Sequence, residues 1–480
     1  GTKRKLRPAM GDLLERWQTE GYVGFFPTIT LCELFHKSGT LSQTTLLQPR
    51  DLLGNLYSAA TNAVAPGPAL ARRLETVPES GRPVWILALG KAAFPMATAA
   101  LNVLRARGAS PAGSLIVAPA GATTPHHSLD CVAGDHPEPG PGSLAAAGAL
   151  ERTVKRIPKT DEVWLLLSGG TSSLIAAPEP GLSPADLTSI YFLLLGSGLD
   201  ITAMNRIRKR FSRWGGGKLA RALAPARVRG YVVSDVIGDD LASIGSGPCV
   251  PDPTLAREIR EQLEETGMWP RLPESARSLV LSVEAGERAE TPKPGDDAFA
   301  GVSLEVIASN QIALEAAAER ARELGLTPVV AKNPISGEAA PAGESLARSL
   351  LDRCARRGTE TETRLCMIWG GETTVTLGEQ SAGIGGRCQE LALAAARALK
   401  GASEGVALLA AGTDGRDGPT DAAGAIVDGQ TWQAIEGSGR RPDRDLAEHN
   451  SYPALDVAGA LLRPGLTGTN VMDVVMGCCL

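Results

Sequence analysis

Short apolar runs recur along the chain, each about the length of a β-strand and each ending in a glycine-rich or polar turn. Most are followed by an Ala/Leu-rich stretch of helical length, the alternation expected of an α/β fold. The runs lack strict apolar/polar alternation, which favours strands buried on both faces of a mostly parallel sheet. The clearest strand candidates are Val84–Leu89, Ser114–Val117, Val163–Leu167, Gly230–Val233, Leu304–Ile307, Leu365–Trp369 and Val406–Leu409.

Polar or glycine-rich residues follow six of these predicted strands directly. Ligands of open α/β sheets bind beyond the carboxyl ends of the strands, so these residues are the first candidates for a functional site. They are Gly90–Lys91, Ser168–Ser172, Ser234–Asp235, Ser309–Asn310, Gly370–Glu372 and Gly412–Asp414.

The chain has 480 residues, far more than the roughly 150 typical of one domain, so two domains are expected. Prolines and glycines surround charged residues between about 270 and 300, a pattern typical of a surface linker. We therefore predict one domain over residues 46–290 and another over 300–480. Residues 1–45 are interpreted as an N-terminal extension of unknown role.

Composition excludes several classes of function. The net charge of -5 and the pI near 5.8 provide no basic field, so no nucleic-acid partner is expected. No apolar stretch approaches the roughly 20 residues that span a bilayer, so no membrane association is expected. Eight cysteines without a C-x-x-C pair favour reduced thiols and a cytoplasmic location. The basic segment Thr2–Arg7 leaves a mitochondrial location as the alternative.

Anion-binding candidates stand at two of the strand ends. The turn Ser168-Gly169-Gly170-Thr171-Ser172 could cradle an anion with its amides and hydroxyls, or it could be a purely structural turn. Lys91 could hold a phosphate or carboxylate, or be an ordinary surface lysine. The basic run containing Arg208 and Lys209 could bind an anion or form a solvated helix face.

Acidic candidates occupy three other strand ends. Asp235, Glu372 and Asp414 are the residue types that bind a divalent cation through oxygen, and Arg387 is presented on the loop after Glu372. Phosphoryl transfer requires this combination of acids, cations and amide-rich turns. His126, His127 and His136 show no metal-ligand spacing and are interpreted as structural or surface residues. Neither a P-loop nor a dinucleotide-binding G-x-G-x-x-G after a strand is present.

Taken in order, these motifs resemble the class II glycerate kinases, whose C-terminal half is called the MOFRL domain. The resemblance covers residue 50 to the C-terminus. Its carriers are Leu89–Ala93, Ser168–Ser172, Asn205 with Arg208-Lys209, Ser234–Val236, Gly247-Pro248, Ser309-Asn310, Gly370–Thr373, Gly386-Arg387, Gly412–Gly415 and Thr467–Asn470.

The resemblance implies a Rossmann-like N-terminal domain, a smaller α/β MOFRL-type C-terminal domain and an active site in the cleft between them. It implies ATP-dependent phosphorylation of D-glycerate at its 2-hydroxyl with Mg²⁺, by a monomer or homodimer. Lys91 and Arg387 would bind anionic groups, and Asn310 and Asn470 would hydrogen-bond substrate. The Ser168–Ser172 turn would grip carboxylate or phosphate.

The acids carry two alternative roles under this resemblance. Asp235, Glu372 and Asp414 would bind the metal or accept the substrate's hydroxyl proton. Loss of Lys91 or Arg387 is expected to slow the reaction and leave stability almost unchanged.

The chain departs from the family in the segment after Arg208-Lys209. Gly215 stands where the family has a lysine, and Lys218 is a candidate to replace that cation. Gly215 could alternatively be required for a positive φ angle. Two rival functions stay open: a hydroxypyruvate reductase, and a non-catalytic sugar-acid-binding protein on the same fold.

Overall fold

The computed structural model describes residues 48–121, 129–356, 364–378 and 383–480, and the strands in these ranges form two six-stranded sheets. The predicted extension over residues 1–45 lies outside the described residues. So do His126 and His127. Residues 47–480 belong to one compact unit, which contains both sheets.

The first sheet is parallel throughout, with strand order β3-β2-β1-β4-β5-β6. Its order and crossovers are those of a doubly wound, Rossmann-like fold, as predicted. The strands are β1 (Val84–Leu89), β2 (Gly113–Pro119), β3 (Cys131–Gly134), β4 (Glu162–Leu167), β5 (Arg227–Val233) and β6 (Val302–Ala308).

Helices flank this sheet, and a separate helical layer is inserted between β4 and β6. The flanking helices are α2 (Pro66–Glu75), α3 (Ala93–Ala106), α4 (Pro141–Arg156), α5 (Thr171–Leu174) and α8 (Lys218–Leu223). The inserted helices are α6 (Pro184–Leu195), α7 (Ile201–Phe211), α9 (Ala256–Glu265) and α10 (Glu274–Glu284), and they share their own apolar cluster.

The second sheet is mixed, with strand order β11-β10-β9-β12-β8-β7. Among its described neighbours, β7 and β8 pair in parallel and the other pairs are antiparallel. Its strands are β7 (Thr327–Val330), β8 (Leu365–Gly371), β9 (Val406–Gly412), β10 (Gly424–Asp428), β11 (Leu461–Leu462) and β12 (Asp473–Cys479). Its helices are α11 (Asn310–Glu323), α12 (Ala339–Arg356), α13 (Arg387–Leu399), α14 (Thr431–Gly437), α15 (Pro442–Ala447) and α16 (Ser451–Val457).

The segment predicted as a linker does not connect the two sheets. Within it, α10 buries Leu279 and Val280 in the inserted helical layer, and Pro273 lies just before the first residue of that helix. The chain then returns to β6, which pairs with β5 of the first sheet. It crosses to the second sheet only after Ala308.

The first helix of the described residues, α1 (Pro49–Ala63), packs against the second half of the chain although it precedes the first sheet. The Tyr57 hydroxyl donates a 2.8 Å hydrogen bond to the Gly412 carbonyl at the end of β9. The Thr469 hydroxyl donates to the Val64 carbonyl at 2.8 Å, just beyond α1. This N-terminal helix therefore ties the two halves together.

Successive residues of the central strands pack into apolar layers on opposite sides of the sheet. Both faces of these strands are therefore apolar. Ile86 and Ala88 of β1 join one cluster, while Leu87 and Leu89 join another on the opposite face. The first of these clusters continues to Ile368 of the second sheet. Within the described ranges, none of the helices is both long and apolar enough to span a bilayer.

Candidate active site

The turn after β1 presents Lys91 next to the turn after β4. Gly90 has φ of 124°, and a side chain there would collide with Ser168, so glycine is required. The Lys91 N–H donates to the Gly169 carbonyl at 2.9 Å. The Lys91 side chain is exposed to solvent. The backbone is thus fixed while the ammonium stays free to meet a ligand.

Two hydroxyls of the predicted anion-binding turn are engaged inside the protein. Ser168 Oγ accepts from the Ala92 N–H at 2.9 Å, and Thr171 Oγ1 donates to the Leu89 carbonyl at 2.9 Å. Ser168 and Thr171 are buried. The Ser172 hydroxyl is 2.8 Å from that of Ser246. Ser168 and Thr171 therefore shape the turn, and its ligand-binding capacity lies in its backbone.

Gly169 and Gly170 bring this turn against the charged residues of the first sheet. A side chain on Gly169 would overlap the Asp235 carboxylate, and a Cβ on Gly170 would lie 2.9 Å from His136 Cδ2 and 3.3 Å from Lys91 Cγ. Across the described ranges, the N–H groups of Gly169 and Gly170 have no acceptor within the protein. Two free amides therefore lie beside Lys91, Asp235 and His136.

His136 lies beside this candidate site, although the sequence interpretation classed it as a structural or surface residue. It follows β3, a strand of only four residues that are mostly half-buried. The segment Cys131–Gly134 was therefore not recognised as a strand. Burial and the neighbouring Lys91 lower the pKa of His136, and Asp235 opposes them. The strand-end rule that selected Lys91 and Asp235 would have selected His136 had β3 been recognised.

In the second sheet, Arg387 is the centre of a carboxylate cluster. Its Nη1 is 2.8 Å from Glu372 Oε1, and its Nε and Nη2 lie 2.6 and 2.9 Å from the two oxygens of Asp473. Asp473 is 1% exposed, whereas the Arg387 side chain is 35% exposed. The buried carboxylate therefore fixes the guanidinium through a bidentate pair and leaves part of it open.

Asp473 was not predicted because the strand-end rule looks only at carboxyl ends. Asp473 begins β12, which runs antiparallel to β8 and β9, so its amino end lies beside Gly371 and Gly412 at their carboxyl ends. The run Val474–Cys479 was left without a role in the sequence, although β12 is a fully buried central strand. In a mixed sheet, a residue at the amino end of an antiparallel strand can therefore lie at the candidate site. A rule based on carboxyl ends does not detect such a residue.

Electrostatic coupling joins the two sets of residues. Burial raises the pKa of Glu372; Arg387 and Lys91 act to lower it, while Asp473 and Asp235 add to the rise. Burial also raises the pKa of Asp235, and Lys91 opposes it. Lys91 and Asp235 belong to the first sheet and Glu372 to the second, so the loops at these strand ends face one another.

Asp414 lies at the edge of the same cluster. Its Oδ1 accepts from the Arg416 N–H at 3.0 Å, and a Cβ on Gly412 would be 3.1 Å from that oxygen and 3.6 Å from Asp473 Oδ1. Burial, together with the charge of Asp473, raises the pKa of Asp414. Asp414 therefore lies close to Asp473 and to the cluster around Arg387.

The start of α13 is fixed by the loop that carries Asp414. Asp417 accepts from the N–H groups of Cys388 and Gln389 at 3.2 and 2.8 Å. Burial raises the pKa of Asp417 to about 7 despite these bonds. Because Arg387 is the first residue of α13, Asp417 helps to set where its guanidinium emerges.

Each of the two predicted asparagines uses one of its amide atoms in a hydrogen bond within the protein. The buried Asn310 donates from Nδ2 to the carbonyls of Val471 and Asp473, both at 2.9 Å. Asn470 Oδ1 accepts from the Met472 N–H at 3.1 Å. These contacts hold the approach to β12, so both residues position Asp473 in this structure.

The predicted basic pair lies on α7, and its two side chains have different surroundings. Arg208 stacks over the Tyr191 ring, 5.1 Å from its centroid. Lys209 is buried, and burial lowers its pKa against the opposing charges of Asp252 and Asp240. Asp240 belongs to the loop that follows Asp235, so Lys209 lies near that loop.

Lys218 does not replace the cation absent at position 215. Its ammonium is 2.6 Å from Glu179 Oε2 and donates to the carbonyls of Lys209, Arg210 and Ser212 at the C-terminal end of α7. Nor does Gly215 have a positive φ angle, unlike Gly216 and Gly217. Both explanations offered for this position are therefore wrong.

Comparisons with known proteins identify the family. Residues 52–281 match a family described as a domain of unknown function, DUF4147, and residues 365–473 match the MOFRL family. A glycerate 2-kinase from Pyrococcus horikoshii is 39% identical over 82% of this chain and 86% of its own. The chain belongs to the MOFRL/DUF4147 glycerate kinase family.

A crystal structure and a further relative are also similar to this chain. The crystal structure of a glycerate kinase from Thermotoga maritima matches with a TM-score of 0.82 and 35% identity, covering 90% of this chain and 99% of that one. A protein from Agrobacterium vitis, 36% identical over 88% of this chain and 93% of its own, bears a provisional hydroxypyruvate reductase name. The α/β fold with its MOFRL-type second half is thus that of the glycerate kinases.

Gly215→Lys is expected to lower the KM for an anionic substrate of this family member. A Cβ there would be 3.2 Å from Ser246 Cβ, close enough that Ser246 must shift slightly, and Ser246 contacts Ser172. Gly215 is buried, so the lysine must extend its ammonium to solvent, where a cation near this turn is worth roughly 1 kcal/mol, or about fivefold in KM. Steady-state kinetics and melting temperature of the variant check this. An unchanged KM at unchanged stability would contradict it.

Proposed function

We propose that this protein transfers the γ-phosphoryl group of ATP to the 2-hydroxyl of D-glycerate, giving 2-phosphoglycerate and ADP. The observation that carries the proposal is that the loop after Asp235 and the strand end before Glu372 line the same cavity, with Arg387 2.8 Å from Glu372. Free amides at Gly169 and Gly170 complete a set of anion-binding groups. The identity to a named glycerate 2-kinase supports the regiochemistry.

In the proposed reaction the 2-hydroxyl oxygen bonds to the γ-phosphorus while the bond to the ADP oxygen breaks. Lys91 and the exposed part of Arg387 would stabilise charge on the transferring group. Asp235 would accept the hydroxyl proton. Burial raises its pKa, which makes it a stronger base than an ordinary aspartate, whereas Glu372 is held by Arg387.

The acids fit a magnesium ion that is shared with the nucleotide. In the described part of the chain, no three His, Cys, Asp or Glu side chains converge as a ready metal site. Mg²⁺ usually takes one or two protein carboxylates together with substrate phosphates and water. Glu372, with Asp414 near, would supply those carboxylates and leave Asp235 as the base, and the ion would neutralise phosphate charge.

Coupled ADP release tests both the substrates and the metal. We expect ADP to form only when D-glycerate, ATP and a divalent cation are all present, and EDTA to abolish the signal. Excess Mg²⁺ added after EDTA is the control and should restore the rate. Full activity in chelator would remove the metal from the mechanism, and no glycerate-dependent ADP would reject the kinase.

The hydroxypyruvate reductase rival has the names of two relatives from Agrobacterium vitis in its favour. Against it, no G-x-G-x-x-G follows a strand in this sequence. Oxidation of NADH by hydroxypyruvate, followed by absorbance, separates the two functions. We expect no such oxidation.

A further inference from the structure

A slot of about 200 Å³ lies between the two halves of the protein. It is directly beside the charged cluster, which consists of Asp235, Glu372, Arg387 and Asp473. One wall is the loop from Val236 to Asp239. The other is formed by Asn310, Gln311, Leu314, Ala331–Pro334, Gly370, Gly371 and Met472. Val236 follows Asp235, Gly371 precedes Glu372 and Met472 precedes Asp473, so a ligand held by the cluster can extend into the slot.

The walls of the slot are mainly apolar or uncharged. Leu314 and Met472 are buried, and Ile237 is 45% exposed, next to the exposed Gly238. Gln311 and Asn333 carry exposed amides at the rim. Lys332 and Asp239 are the charged residues of the lining, one of each sign. The slot offers a phosphate or carboxylate little electrostatic attraction, because its lining carries no net charge.

Two glycines let neighbouring segments pack closely in the wall of the slot that the second sheet forms. A side chain on Gly370 would overlap the Asn310 amide, and one on Gly371, whose φ is 140°, would overlap the backbone of Ile335. The volume is below the roughly 300–1,000 Å³ of sites that enclose a whole drug-sized ligand. The slot therefore suits one flat, uncharged part of a larger ligand.

We propose that this slot binds the adenine base of ATP, with Ile237 packing on a face of the ring. The proposal rests on the proposed kinase function, because ATP is the substrate that has both an uncharged ring and a chain of phosphates. The phosphates would then extend toward Asp235, Glu372 and Arg387. D-glycerate, which is small and anionic, would occupy the side of Lys91 and His136.

Ile237→Ala tests the slot by removing an apolar contact without touching the charged cluster. We expect ADP to bind about 5- to 10-fold more weakly, as loss of one aliphatic contact implies, while pyrophosphate binding is unchanged. Isothermal titration of each ligand with Mg²⁺ measures both. The KM for ATP should rise by a similar factor, and the KM for D-glycerate should not.

Leu281→Ala is the matched control, since Leu281 is an aliphatic residue of similar exposure, 48%, on α10. It should change none of these values. Equal weakening of ADP and pyrophosphate, or no weakening of ADP, would overturn the slot assignment while leaving a glycerate-dependent kinase intact. A wild-type protein that binds neither ADP nor pyrophosphate would overturn the slot and the proposed function together.

Discussion

Lys91→Ala is expected to lower kcat by about 10² to 10⁴, because it removes one preorganised cation from a phosphoryl-transfer site. The melting temperature should stay near the wild-type value. The Lys91 side chain is exposed, and the fixed geometry of its turn depends on Gly90 and on a backbone hydrogen bond. Steady-state kinetics and thermal unfolding of the same preparation measure both quantities.

Lys159→Ala is the matched control for this substitution. Lys159 is an exposed lysine in the turn before β4, at the amino end of the strand, and its removal should affect neither property. If Lys91→Ala behaved like Lys159→Ala, Lys91 would be an ordinary surface residue. That result would remove the first sheet's cation from the proposed mechanism.

Arg387→Ala should lower the rate by a similar factor but should also destabilise the protein, contrary to the expectation from sequence. Arg387 is the bidentate partner of Asp473, which is 1% exposed. Removing the guanidinium leaves a buried carboxylate without its partner. In a fully buried site this would lower the free energy of unfolding by several kcal/mol, and the loss is smaller here because the Arg387 side chain is about one-third exposed. Lys91 has no comparable buried partner.

Asp473→Asn carries the second large effect, and it acts through Arg387. We expect kcat to fall by about 10- to 10³-fold, because a guanidinium displaced by about 1 Å no longer meets the transferring group. In an Arg387→Ala background the same substitution should cost little further rate, since the group that it positions is already absent. A double-mutant cycle on kcat and on stability measures this coupling.

Glu290→Gln is the control for structural damage alone. Glu290 forms a 2.6 Å ion pair with the buried Arg210, away from the charged cluster. It should lower the melting temperature without lowering kcat. Additive losses of rate in the Asp473 and Arg387 cycle would refute the positioning role of Asp473.

Much of the fold could be predicted because its central strands are buried on both faces. All seven predicted strands are present, and β1 has the predicted bounds, Val84–Leu89. The weaker strands were missed for physical reasons. β3 is short and half-exposed, β7 is only four residues long, and β12 ends the chain with a glycine and two cysteines in its apolar run.

The candidate site was predictable where it follows the carboxyl ends of parallel strands. Lys91, Asp235 and Glu372 are brought together from three such ends. Sequence alone could not show that Asn310 and the Ser168 hydroxyl are used inside the protein, because their hydrogen-bond partners lie far away in the chain. Nor could it reveal Asp473, which depends on the direction of β12 in a mixed sheet.

Phosphorus NMR of the product formed from ATP and D-glycerate tests the central claim most directly. The account predicts one new phosphomonoester resonance, split by the single proton on carbon 2 and matching authentic 2-phosphoglycerate on addition. It also predicts one ADP for each product molecule. A resonance split by the two protons on carbon 3 and matching 3-phosphoglycerate would contradict the proposed function.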